Sequence, residues 1–133
     1  MIRVNRCKNL TLIKTLAQQV FEPSDIPTKL TESRWFVAWE KGVPLGFAGI
    51  TFWGNGKAFL SLAGVLPEHR GRGIQKRLIQ ARIRYAKKWK VHQVVTYTVV
   101  DNPESQRSLI KCGLLPYTPK IFFAGKKVIY FST

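Results

Sequence analysis

Acidic residues are scarce in this chain, and scarcest where basic ones are densest. Seven Asp and Glu stand against 22 Lys and Arg, a formal net charge of +15 at pH 7. Residues 1–56 carry seven basic and four acidic residues, net +3, whereas residues 57–133 carry fifteen and three, net +12. No acid lies between Glu68 and Asp101, an interval with nine basic residues. Such a field concentrates anions, whether nucleic acid, a phosphorylated cofactor or an acidic protein. Cysteine is nearly missing. Cys7 and Cys112 stand far apart and flank no ligand-spaced histidine, so no zinc cluster is expected, nor any other metal site. They read as reduced thiols of a cytoplasmic protein. Long apolar runs are missing too. Arg3, Arg6, Lys8 and Lys14 interrupt the N-terminus, and nothing approaches the ~20 apolar residues of a membrane span. The expectation is a soluble protein with no membrane partner.

What is present fits one domain over residues 1–133, long enough to bury a real core. The 45% hydrophobic content argues against disorder. No repeat, low-complexity tract or linker interrupts it. Ile2–Val4 reads as a short strand. Ile13, Leu16, Ala17 and Val20 recur at helical spacing within Asn9–Phe21, and Pro23 ends that helix. Ser24–Glu32 is a polar loop with room for one helical turn. The period then changes to two. Arg34–Glu40, Pro44–Trp53 and Ala58–Val65 read as strands, with turns at Lys41-Gly42 and Gly54-Asn55-Gly56, giving an antiparallel meander. Gly73–Trp89 reads as a helix buried on more than one side. It carries two apolar stripes and a basic face of Lys76, Arg77, Arg84 and Lys87. Val91–Val100 is a buried strand. Asn102-Pro103 opens a helix that Gly113 closes, and Leu114–Phe123 with Lys127–Phe131 forms a last hairpin. The order predicts an α+β domain in three layers, a mixed sheet flanked by helices. Ala58–Val65 and Val91–Val100 are parallel neighbours across a right-handed crossover.

One segment carries chemistry. Arg70-Gly71-Arg72-Gly73-Ile74-Gln75 follows a strand and opens a helix. The first helical turn offers unpaired N–H groups at the positive end of the helix dipole. Gly71 and Gly73 leave those donors open to a phosphate, and Arg70 and Arg72 add charged donors. The spacing is neither the dinucleotide G-x-G-x-x-G nor a P-loop.

Val65-x-Pro67-x-x-Arg70-Gly71-x-Gly73-Ile74 resembles the coenzyme-binding motif of the GNAT acetyltransferases, [QR]-x-x-G-x-[GA]. Arg70, Gly73 and Gln75 occupy its positions, Gln75 replacing the usual Gly or Ala. Asn102-Pro103-Glu104-Ser105 and Leu109-Ile110-Lys111-Cys112-Gly113-Leu114 resemble the family's later N-x-x-S/A and Y-x-K-x-G-F segment. The resemblance implies a centrally splayed sheet and acetyl-CoA as acyl donor. It implies a pantetheine arm against Leu62–Val65 and contacts from Asn102 and Ser105. It also implies direct attack by an acceptor amine, with a backbone N–H near Val65 polarising the thioester oxygen. The family's usual acid is a Tyr seven residues after the Asn, and here that position is Leu109. Tyr97, Ser108 and Tyr117 are the remaining options for the acid. Glu40, Glu68, His69, His92, Asp101 and Glu104 are the options for a base. Glu32 and Glu40 are the acids that could meet the acceptor. Trp35, Phe52, Trp39 and Trp53 could line an aromatic groove, although ordinary sheet core explains them better. The charge excess points to an acidic protein or nucleic-acid-associated acceptor. The final hairpin, if exposed, would support a homodimer. Two other readings stay open: a non-enzymatic basic nucleic-acid-binding domain, and a coenzyme A-binding fold of the same kind without catalysis.

Overall fold

Alternating apolar residues with cover on both faces produce the central sheet. A computed structural model describes residues 1–133. Seven strands run in the order β1-β2-β3-β4-β5-β7-β6. They are β1 (Arg3–Cys7), β2 (Arg34–Glu40), β3 (Val43–Gly54), β4 (Lys57–Val65), β5 (Gln93–Val99), β6 (Leu115–Pro116) and β7 (Val128–Ser132). Only β4 and β5 pair in parallel. Trp35 and Val37 of β2 pack into one apolar cluster with Ile13, Leu16 and Ala17 of α1 (Leu10–Gln18). Phe36 and Ala38 pack into the other, with Ile74, Leu78 and Ile79 of α2 (Ile74–Lys88) and Leu109 of α3 (Pro103–Lys111).

Local chemistry sets the helix ends. The Asn9 side chain accepts the Leu12 N–H at 3.1 Å, and Asn102 accepts the Ser105 N–H at 3.1 Å with Pro103 in the first turn. Three elements depart from the sequence expectation. β1 runs three residues past Val4, because Asn5 to Cys7 find partners Val37 to Trp35 on β2. The loop before β2 winds into two 3₁₀ turns, Pro23–Asp25 and Leu30–Glu32. The last hairpin shrinks on its first side to Leu115–Pro116, since Pro116 and Pro119 supply no ladder donors. The chain after it is held by Tyr130, whose hydroxyl accepts the Ala124 N–H and donates to the Gly125 carbonyl, both at 2.7 Å.

The sheet is splayed at its centre. β4 and β5 share three register pairs, Lys57–Gln93, Ala58–Val94 and Phe59–Val95. One step on, the Thr96 hydroxyl still reaches the Leu60 carbonyl at 2.9 Å. Beyond it the strands part. Thr98, two residues further along β5, has a buried hydroxyl with no hydrogen-bond partner. On the other side of β4, Ala48 pairs with Ala63 and Ile50 with Leu60, so Ser61 and Leu62 bulge opposite Gly49. The buried Arg82 of α2 donates to the Gly49 carbonyl at 3.0 Å and to the Leu78 carbonyl at 3.1 Å. Burial pushes its guanidinium down to about 9, so it stays cationic at neutral pH.

Candidate active site

The open end of the splay meets the glycine-arginine loop. After Val65 a single 3₁₀ turn, Pro67–His69, leads into Arg70–Gly73, and α2 starts at Ile74. Gly71 (φ 80°) and Gly73 (φ 75°) both lie in the left-handed region, where a side chain is strained. A Cβ on either would meet nothing within 4 Å, so the space above both is open. No side chain caps α2 at Gly73, which leaves its first-turn N–H groups available to an anion.

That loop forms one wall of a cleft of about 550 Å³. β4 contributes Ala63, Gly64 and Val65, the end of α1 contributes Val20 and Phe21, and α3 supplies the far wall through Asn102, Glu104, Arg107, Ser108 and Lys111. The cations facing it are Arg70, Lys76, Arg107 and Lys111, with His69 beside them, against the single carboxylate of Glu104. Arg70 is tied to the strand end, its Nε donating to the Val65 carbonyl at 3.1 Å. The cleft therefore combines open backbone donors, fixed positive charge and a strand edge freed by the splay. These are the features that hold a phosphorylated, chain-like ligand. The orphaned Thr98 hydroxyl lies beyond the point where β5 has left β4, buried and outside the cleft lining, so a ligand would reach it only by opening the seam.

Not every residue singled out from the sequence lies on this cleft. Gly71, Gly73, Ile74, Gln75, Val65, Arg70, Asn102 and Ser108 line it. Arg72 does not. Its Nη2 donates to both Glu40 oxygens, at 2.9 and 2.8 Å, because β2 brings that carboxylate to the loop. The hydrogen bond and charge of Arg72 hold the Glu40 carboxyl below its ordinary value, which makes it a poor base. The Gln75 side chain donates to Ser105 Oγ at 3.0 Å, so these two side chains join α2 to α3. Leu62 packs toward α1 instead of the cleft. Tyr97 stacks on Phe59, centroids 5.9 Å apart, outside the cleft. Tyr117 lines a second cavity of about 600 Å³, and burial raises its hydroxyl above the usual tyrosine range. Leu109, in the place of the family's tyrosine, is core. His92 is held at the far end of β5, its N–H on the Gly56 carbonyl and its ring against the Asn55 carbonyl. Glu68 and Asp101 are exposed outside the cleft lining. Of the six possible bases only His69 and Glu104 line it.

The four tryptophan-region aromatics do not form one groove. Trp35 is core with its indole N–H on the Leu30 carbonyl, and Phe52 stacks with Tyr85 on the α2 side. Trp53 stacks on Phe59 and meets Phe123 edge to face, and Trp39 packs against the α1 cluster. Sequence reasoning missed Arg107, whose spacing to Lys111 and Ser108 to Glu104 (four residues each) puts one face of α3 on the cleft. It also missed Thr98, which carries no sequence signal. Both cysteines are free, no three His, Cys, Asp or Glu gather to hold a metal, and no helix is long and apolar enough to cross a membrane.

Comparison with known proteins places these features. Residues 8–114 match the model of the acetyltransferase (GNAT) family. No curated protein sequence matches. Among solved structures, an IAA acetyltransferase from Bacillus cereus superposes with a TM-score of 0.83 at 16% identity, over 99% of this chain and 98% of that one. A GNAT family acetyltransferase from Elizabethkingia anophelis with acetyl-CoA bound gives 0.80 at 17% identity, over 98% and 96%. The spermidine/spermine N-acetyltransferase SpeG from Vibrio cholerae gives 0.74 at 16% identity, over 100% and 94%. At these identities the structural likeness speaks for the fold.

Proposed function

The chain belongs to the GNAT acetyltransferase family, and we propose that it transfers the acetyl group of acetyl-CoA directly to an acceptor amine that carries negative charge nearby. The observation that supports this most is the three-rung β4–β5 ladder opening onto a cationic cleft at Arg70–Gln75. In this reading the pyrophosphate of the donor lies on the N–H groups from Gly71 to Lys76, with Arg70 beside it. Arg107, Lys111 and Lys76 take the remaining phosphate charge. The pantetheine arm follows the β4 edge at Ala63–Val65, and opening of the seam would bring Thr98 Oγ1 of β5 within its reach. The neutral amine attacks the thioester carbonyl, whose oxygen takes up charge toward a backbone N–H near Val65. The C–S bond breaks, the amine loses a proton and the thiolate gains one. Ser108 is the hydroxyl donor on the cleft, and His69 and Glu104 are the acceptors.

Charge supports the acceptor class. Arg70, Lys76, Arg107 and Lys111 face the cleft against Glu104 alone, and the second cavity, at the paired end of β4 and β5, is lined by Lys57 and Lys120 and by no Asp or Glu. An acceptor with an anionic group near its amine is drawn to such a surface, while a polycation meets repulsion. The test is a thermal-shift titration followed by thiol-release turnover. At ~100 times its dissociation constant a ligand adds about 2.7 kcal/mol, a rise of several degrees here. Acetyl-CoA should stabilise well above ATP and heparin, with Arg70→Ala reducing the shift. Thiol release should follow with amines bearing a carboxylate or phosphate and stay low with spermidine. Binding without turnover by any amine would leave a coenzyme-binding fold without catalysis. Stabilisation by heparin alone would refute the site.

A further inference from the structure

Only one carboxylate in this molecule meets a cation. Of the 22 Lys and Arg side chains, Arg72 alone forms an ion pair, with Glu40, which also lies 4.0 Å from the N-terminus. The unpaired cations are not dispersed at random. On the flank of the sheet where β1 and β2 meet the C-terminal half of α2, two guanidiniums converge on one neutral oxygen. Tyr85 Oη accepts from Arg6 Nη1 at 2.6 Å and from Arg34 Nη1 at 2.9 Å. Aromatic faces fix both groups. Arg34 sits 4.5 Å from the Phe52 ring and 5.0 Å from the Trp89 ring, and Arg6 sits 5.0 Å from the Tyr85 ring. Each guanidinium has five N–H donors, and the phenol occupies one of each. Residues 3–8, 34–36, 50–53 and 77–90, which build this flank, contain no Asp or Glu.

We propose that this flank binds single-stranded nucleic acid, with phosphates on Arg6, Arg34, Arg77, Arg84 and Lys88 and a base on Trp89. The proposal is independent of the acyl-transfer reading. Arg77, Arg84 and Lys88 follow one line of α2 at intervals of seven and four residues. Their line is about 16 Å long, enough to follow several successive phosphates of one strand. Arg77 Nη1 donates to the Ile2 carbonyl at 3.0 Å, which places this line on the β1 side, away from the Lys76 side that lines the cleft. The ring decides between nucleic acid and an acidic peptide. Trp89 is 58% exposed at the end of the charged line, with Arg34 on one side. Bases stack on such a platform while phosphates occupy the cations around it. An acidic peptide would use the charges and leave the indole in water.

The experiment is fluorescence anisotropy of a labelled twelve-nucleotide oligouridylate with the full chain, from 50 to 300 mM KCl. Trp89→Ala and Arg6→Gln are the variants. Both positions are exposed and outside the cleft, and an unchanged far-ultraviolet circular dichroism spectrum confirms their fold. Trp89→Ala should weaken binding by about fivefold or more, and Arg6→Gln should lower the slope of log affinity against log salt by about 1. Polyglutamate at equal charge should compete poorly. If both variants bind as the parent does, the flank is not the site. If polyglutamate displaces the oligonucleotide at equal charge, the partner is an acidic protein and the proposal fails.

Discussion

Thr98→Val exchanges a hydroxyl for a methyl at nearly constant shape, at the one buried side-chain oxygen that lacks a partner. If that oxygen waits for the acyl donor, stability and affinity should move in opposite directions. A buried unsatisfied polar group costs about 1–3 kcal/mol, so the ligand-free variant should gain at least ~1 kcal/mol. For 133 residues, at ~2.1 cal/mol/K of unfolding entropy each, that raises Tm by about 4 °C. The same substitution deletes a hydrogen bond to the bound donor, worth ~1 kcal/mol net, so acetyl-CoA should bind about fivefold more weakly. Differential scanning fluorimetry and isothermal titration calorimetry read the two effects separately. A variant that melts lower without ligand would show that the hydroxyl was already satisfied. An unchanged acetyl-CoA affinity would show that the seam does not receive the donor.

Gly73→Ala places a side chain in the left-handed region, costing ~1–2 kcal/mol of stability, and its methyl enters the open space above the loop. Acetyl-CoA affinity should fall in calorimetry by more than the stability loss alone would suggest, and an unchanged affinity would move the phosphates elsewhere. Gly49→Ala would bring a Cβ to 2.5 Å from Ser61 Oγ and 2.9 Å from the Trp35 ring. It should be strongly destabilising in urea melts, and Ser61→Ala should restore only part of the loss because the indole clash remains. The Glu40 carboxyl is lowered in the folded state by Arg72. Its contribution is therefore present above the ordinary 4.5 and lost as pH falls through the lowered value. Arg72→Ala should therefore lower stability near neutrality and flatten the acid limb, so that the two profiles converge at low pH.

The strands and helices were legible because their signals are local and strong. Asn9 and Asn102 announce caps, Pro23 and Gly113 announce ends, and β2 falls on Arg34–Glu40 as its alternation requires. The open glycine-arginine loop was legible for the same reason, since Gly71 and Gly73 at a strand-to-helix junction signal left-handed backbone and uncapped donors. What failed depends on pairing across the chain. Arg72 reads as a phosphate ligand until β2 delivers Glu40 to it. Gln75 does line the cleft, and only its side-chain partner, Ser105 of α3, is invisible to the sequence. Arg82 falls outside the basic face that the sequence marks on this helix, and only the bulge at Gly49 supplies the carbonyl its buried guanidinium meets. Thr98 matters because of where β4 stops following β5, a property of two strands that no single segment encodes.

A sheet joined by three rungs is, for the rest of its length, two sheets that share a border. The half built from β1 to β4 and the half built from β5 to β7 each have their own ladders, so each can fluctuate as its own cooperative unit. An extended donor lying along the freed β4 edge, hydrogen-bonded from both sides, would take the place of a missing strand. The two halves would then exchange amide hydrogens in concert, and acyl-donor binding would be the completion of the β-sheet itself.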